Sequence, residues 1–198
     1  MSAFLGPIHY WLYRKIEIQN NIANELANRL GKDTVVPALQ SNFEALPEGD
    51  LETFIQTDNI HGWLQEKIHL VERRLAFTVE QLVESTITMA EIKEVAYEVG
   101  TQITDLTEEA TAKEAFTFLN NTLLDGMPCD HVNMMKQEDD NQVAWIRTTN
   151  LHESFWSERS RLENYYDLVR DSFIQGCLVN TQLEYENEAY REFVIKVK

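Results

Sequence analysis

Apolar residues recur every three or four positions near the start of the chain, at Ile8, Trp11, Leu12, Ile16, Ala23, Leu26 and Leu30. That period predicts a helix with Pro7 in its first turn and Gly31 as its stop. A second stripe, Ile60, Trp63, Leu64, Ile68, Val71, Leu75, Val79 and Leu82, predicts another long helix, with Asp58-Asn59 offering side-chain oxygens to cap it. Between the two, Pro37, Pro47 and Gly49 punctuate residues 35–56, which suits one or two short connecting helices, one of them capped by Asp50. Thr88-x-x-Glu91 reads as a capping box ahead of Ile92, Val95 and Ala96, with Gly100 interrupting or ending that helix. A further helix is expected from Leu106 to Leu124, ending at Gly126.

Beyond Gly126 the period changes. His131 to Gln137 and Gln142 to Thr149 flank the polar run Glu138-Asp139-Asp140-Asn141 and predict a β-hairpin. Asn150-x-x-Glu153 could cap a short helix carrying Phe155 and Trp156. Tyr165, Tyr166, Val169, Phe173 and Cys177 mark a longer one, and Leu183–Tyr185 and Arg191–Val197 read as closing strands. The expected fold is α+β in one domain, residues 1–198. A helical part (1–126) is followed by a ββαββ-like part (127–198) in which a small antiparallel sheet carries a packed helix.

Composition then narrows the partners. Seventeen Lys and Arg against 33 Asp and Glu give a net charge of −16, which repels nucleic-acid phosphates and anionic membrane surfaces, and Arg73-Arg74 and Arg14-Lys15 are the only adjacent basic pairs. No nucleic acid and no membrane is expected as a partner. Met1-Ser2-Ala3-Phe4 does not read as a secretory signal and no apolar run reaches the ~20 residues of a membrane span, so a cytoplasmic setting is expected. There Cys129 and Cys177 would stay reduced.

The candidate chemistry lies in histidine. Pro7-Ile-His-Tyr-Trp-Leu-Tyr-Arg-Lys-Ile16 and Asn59-Ile-His-Gly-Trp-Leu-Gln-Glu-Lys-Ile68 agree at Ile, His, Trp, Leu, Lys and Ile. Thr148-Thr-Asn-Leu-His152 echoes the second of them at its start. His9, His61 and His152 therefore occupy similar places at element starts, where the positive end of a helix dipole favours the neutral imidazole that a metal needs. The repeat is equally compatible with an architectural duplication whose Trp11 and Trp63 fill the core. Cys129 and His131 point to one face if they lie on a strand, and the hairpin would bring His152 beside them. Together His9, His61, Cys129, His131 and His152 form a candidate ligand set for zinc or iron, with Asp130 or Glu153 to orient a ring. Trp11, Trp63 and Trp145 are candidate walls for a cofactor. His69 falls on the solvated side of its helix.

No Gly-rich phosphate loop and no Gly-x-Ser-x-Gly elbow occurs, and the acidic runs Glu108-Glu109 and Glu138-Asp139-Asp140 suit solvated faces or turns. A hairpin, then Tyr165-Tyr166-Asp-Leu-Val-Arg-Asp-Ser-Phe173-Ile-Gln-Gly176, then the pair Leu183-Glu-Tyr185 and Phe193-Val-Ile-Lys-Val197 resembles the end of haem–nitric-oxide-binding and 4-vinyl-reductase-type ligand domains. The resemblance implies a small-molecule or haem pocket between a helical half and a twisted sheet. The haem family's Tyr-x-Ser-x-Arg clamp is absent, and no residue here matches its proximal histidine. The leading expectation is a sensor-type domain that binds a small molecule, a metal ion or a cofactor. The alternatives are a metal-dependent enzyme using Glu153 or Asp130 as base, and an interaction module whose Trp and Tyr surface makes a homodimer.

Overall fold

The computed structural model describes residues 4–125, 130, 132–189 and 191–198. The chain is an α+β protein, with its helices mostly ahead of a four-stranded antiparallel sheet. Its contacts group into two compact units, Met1–Thr88 with Thr122–Leu124, and Met89–Asn121 with Asp125–Lys198. None of the described helices is long and apolar enough to cross a membrane.

The first unit is built on two long helices, α1 (Pro7–Leu30) and α3 (Ile60–Glu84), with the short α2 (Val35–Asn42) and a 3-10 turn (Leu51–Thr53) between them. Pro7 opens α1, Gly31 closes it, and the Asn59 side chain accepts from the Gly62 N–H at the start of α3. Asp50 stands at the cap of the 3-10 turn but makes no side-chain cap there. The helices run parallel and in step. His9 meets His61 and Tyr13 meets Trp63 near their starts. Arg74 reaches Asn20 and Asn24 halfway along, and a Cβ on Gly31 would lie 3.0 Å from Leu82 at their ends. The stripes Leu12, Ile16, Ala23 and Leu26 and Leu64, Val71, Leu75 and Val79 are buried. Each large aliphatic side chain so buried contributes about 1.5–3 kcal/mol relative to exposure.

The spacing of the repeated segment matches this parallel pairing, and the repeat extends to electrostatics. Lys15 Nζ lies 4.0 Å above the Trp11 ring and Lys67 Nζ 5.4 Å above that of Trp63, so each copy carries an i, i+4 cation–π pair. Trp63 is buried against Tyr13 and Phe54, whereas Trp11 is only half-buried.

The second unit contains α4 (Met89–Ile103), α5 (Ala112–Thr122), β1 (Asn133–Glu138), β2 (Gln142–Arg147), α6 (Glu158–Leu162), α7 (Tyr165–Cys177), β3 (Leu183–Ala189) and β4 (Glu192–Val197). The strand order is β1-β2-β4-β3. The hairpin turns where the Asp139 carboxylate accepts from the Asn141 and Gln142 N–H groups. Val143, Trp145 and Arg147 alternate on the buried face of β2, and Trp145 pairs across the sheet with Phe193. Phe116 of α5 packs edge-on against Trp145 at 5.0 Å.

Two sequence expectations shift here. Gly100 neither interrupts nor ends α4. A Cβ on Gly100 would come 2.2 Å from the Phe173 carbonyl oxygen, and one on Gly176 would come 2.0 Å from that of Tyr97, so the two glycines let the backbones of α4 and α7 touch. The helix expected from Leu106 begins only at Ala112, because Thr111 and Glu114 form a capping box. The Glu114 carboxylate accepts from the Thr111 N–H at 2.8 Å, and the Thr111 hydroxyl accepts from the Glu114 N–H at 3.2 Å.

Replacing Gly100 or Gly176 by alanine is expected to destabilise the protein by about 1–3 kcal/mol or more, since neither backbone can yield without moving a whole helix. Urea unfolding measures it; an unchanged midpoint in both variants would show that α4 and α7 do not touch there.

Candidate functional site

A cluster of buried ion pairs gathers around α7 in the second unit. Arg170 points from α7 onto the Phe193 ring and donates to Asp125 Oδ2 at 2.7 Å. Its other terminal nitrogen reaches the Tyr185 hydroxyl at 3.3 Å, and that hydroxyl donates to Asp171 Oδ1 at 2.7 Å. Arg147, at the end of β2, also lies over Phe193 and donates to Asp167 Oδ1 at 2.7 Å. Both guanidinium groups are at least 95% buried, which is tolerable only because each has a carboxylate in contact.

His152 joins this network from the 3-10 turn Glu153–Phe155, which it precedes. The Asn150 side chain holds the turn by accepting from the His152 N–H. The ring is 2% exposed and stacks on Tyr166 at 3.9 Å. Its Nε2 lies 2.9 Å from the Tyr166 hydroxyl and 3.4 Å from Asp125 Oδ1. The second distance suits an electrostatic contact rather than an aligned hydrogen bond, since Oδ1 makes no hydrogen bond. An ionised Asp125 at this distance favours the proton on Nε2.

Burial alone would push the Asp125 carboxyl up, but Arg170, His152 and Arg147 together hold it well below the usual carboxylate range. Asp171 goes the other way, because burial raises it and its partners offset this only in part. Burial likewise pushes the Tyr185 phenol far up and the Cys177 thiol to about 12, so Cys177 is a core residue and not a nucleophile.

A cavity of about 160 Å³ opens beside His152, walled also by Asn150, Glu153, Trp156, Ser160, Arg161, Asn164, Tyr166 and Asp167. Ser157 caps α6, which places Ser160 there, and Asn164 takes a left-handed conformation that turns the chain into α7. Trp156 is 4% exposed, yet its indole N–H has no acceptor, and neither do Nε and Nη1 of Arg147.

The sequence-derived ligand set is distributed as follows. His9 and His61 meet edge to face, with ring centroids 5.4 Å apart, in the first unit. His9 Nδ1 accepts the Gly6 N–H at 2.9 Å, so in the neutral ring the proton sits on Nε2 and neither nitrogen offers a free lone pair. His152 stands in the second unit, and Cys129 and His131 lie outside the described residues. Among the described residues no group of three or more His, Cys, Asp or Glu side chains could hold a metal ion. Trp63 and Trp145 are core residues and Trp11 carries Lys15; none of them lines the cavity at His152. Reading the sequence missed Asp125, Arg147 and Arg170. The one available signal was an Arg at an inward position of an alternating strand, as Arg147 is after Val143 and Trp145.

Asp125→Asn is expected to cost about 3–5 kcal/mol at neutral pH by leaving Arg170 buried without its counter-charge. The carboxyl of the folded protein sits below its unfolded value, so its contribution is complete above that value, near 3.8, and is lost as pH falls through the folded one. The stability gap between wild type and variant, measured by urea unfolding, should therefore be present at about pH 5 and close as pH falls below about 4.

No protein-family description matches the chain, and neither a curated protein nor a solved structure does, so what this site can do is read from its geometry.

Proposed function

We propose that the chain is a small-molecule-binding domain, and that the second unit holds a small, uncharged molecule bearing a carbonyl-type acceptor in the cavity beside His152. The observation that carries this reading is that Trp156, one of the residues lining the cavity, buries its indole N–H with no acceptor. Leaving a buried donor unmet costs about 1–3 kcal/mol, and an acceptor on a bound molecule recovers it. Asn150, Ser160 and Asn164 add polar groups around the same space. The charges of the wall balance, the exposed Glu153 against the exposed Arg161 and Asp167 against Arg147, and Arg170 behind it is balanced by Asp125, which favours a neutral occupant over an ion. The volume is about that of a cavity that takes up one benzene-sized molecule.

Titration with 2-pyridone, followed by the Trp156 indole N–H resonance in ¹H–¹⁵N NMR, tests the reading. The resonance is expected to shift on binding, and Trp156→Phe to weaken affinity up to about tenfold, the value of one hydrogen bond. An unmoved Trp156 resonance, or equal affinity in the variant, would remove the cavity from consideration.

A further inference from the structure

We infer that the first unit carries a separate binding site, for a small carboxylate with an apolar body, at Arg74. This side chain is 6% exposed and forms part of the wall of an open cavity of about 330 Å³ lined by α1, α2 and the segment after α2. Its guanidinium donates to Asn20 Oδ1 at 2.9 Å, to Asn24 Oδ1 at 2.9 Å and to the Glu44 backbone carbonyl at 3.1 Å. All three acceptors are neutral. The nearby Glu44 carboxylate is bound to Lys67 instead, at 2.6 Å.

Arg74 thus differs from the buried arginines of the second unit, each of which touches a carboxylate. Burial weakens its hold on its proton with no opposing charge to restore it. A buried cation without a counter-ion is costly, and in a chain carrying a net charge of −16 the missing acid is the exception to be explained. An anion entering the cavity would supply it.

The rest of the wall sets the ligand's shape. Asn24, having committed its carbonyl oxygen to Arg74, has N–H groups to donate, and Asn28 and Gln40 place further amides at the exposed rim. Leu39 and Phe43 supply an apolar side. Donors around one cation beside an aliphatic and aromatic wall suit a carboxylate with an apolar tail better than a phosphate, which needs donors on all sides. No residue of this cavity belongs to the one at His152.

The test uses the full chain with hexanoate, 1-hexanol and inorganic phosphate, reading the Arg74 Nε–H resonance by ¹H–¹⁵N NMR and affinity by calorimetry. Hexanoate is expected to shift that resonance and to bind at least about tenfold more tightly than either other probe, a difference of one ion-pair-assisted hydrogen bond. Arg74→Gln should lose that preference. Because Arg74 also ties α3 to α1, Gln40→Glu at the exposed rim serves as a second variant; its added charge should weaken hexanoate several-fold with the fold intact. Equal binding of hexanol, a preference for phosphate, an unmoved Arg74 resonance, or unchanged hexanoate affinity in Gln40→Glu would each overturn the inference.

Discussion

The backbones of α4 and α7 touch, and the second unit is arranged around that contact. With no side chain at Gly100 or Gly176, the carbonyls of Phe173 and Tyr97 occupy the space that a Cβ would need. This fixes α7 in position along its length. It fixes in turn which way Tyr166, Asp167, Arg170 and Asp171 face, because helix geometry leaves those four residues no independent freedom once the axis is set. An α7 shifted by even an ångström would separate Arg170 from Asp125 and Asp167 from Arg147, and each separation would leave a charge buried alone.

The two arginine–carboxylate pairs share the Phe193 ring as their floor. An apolar floor raises the cost of misplacing either charge, since the ring offers no hydrogen-bonding group to substitute for a missing partner. That cost ties α7 to β2 and to Asp125, and it holds His152 between Asp125 and Tyr166. The cavity is thereby walled by groups whose positions are set behind it, as a binding site requires. The unmet donors of Trp156 and Arg147 are the part of this arrangement that the protein does not satisfy by itself.

The first unit solves a different problem. Two parallel helices cannot be joined by a tight turn, and α1 is about 36 Å long at 1.5 Å per residue, so the chain must return that distance before α3 begins. The return segment folds α2 against the pair and leaves Arg74 beneath it, tied to Asn20 and Asn24 of α1. The duplicated histidine segments acquire their meaning here. They mark the aligned starts of the two helices, where His9 closes its own helix by accepting the Gly6 N–H and its ring packs on that of His61.

Periodicity was enough to locate α1, α3, α7, the hairpin and the closing strands, because a stripe of Leu, Ile and Val or an alternation of them is dictated by one-sided burial and is written locally. The start of α5 was misplaced at Leu106, because the capping box at Thr111-x-x-Glu114, rather than the apolar residues upstream, decides where it begins. Sequence also singled out His152 as an element-start histidine near a turn. It could not supply Asp125, 27 residues before His152, or Arg170, 45 residues after Asp125, since neither lies in a pattern and each is chosen by its partner. Gly100 shows the same limit, for glycine reads as a helix stop until the helix packed against it is known. The elements were determined by local chemistry. The buried charges, the cavities and the helix contact were decided by tertiary structure, because the energy of an ion pair or a close packing belongs to two distant residues at once.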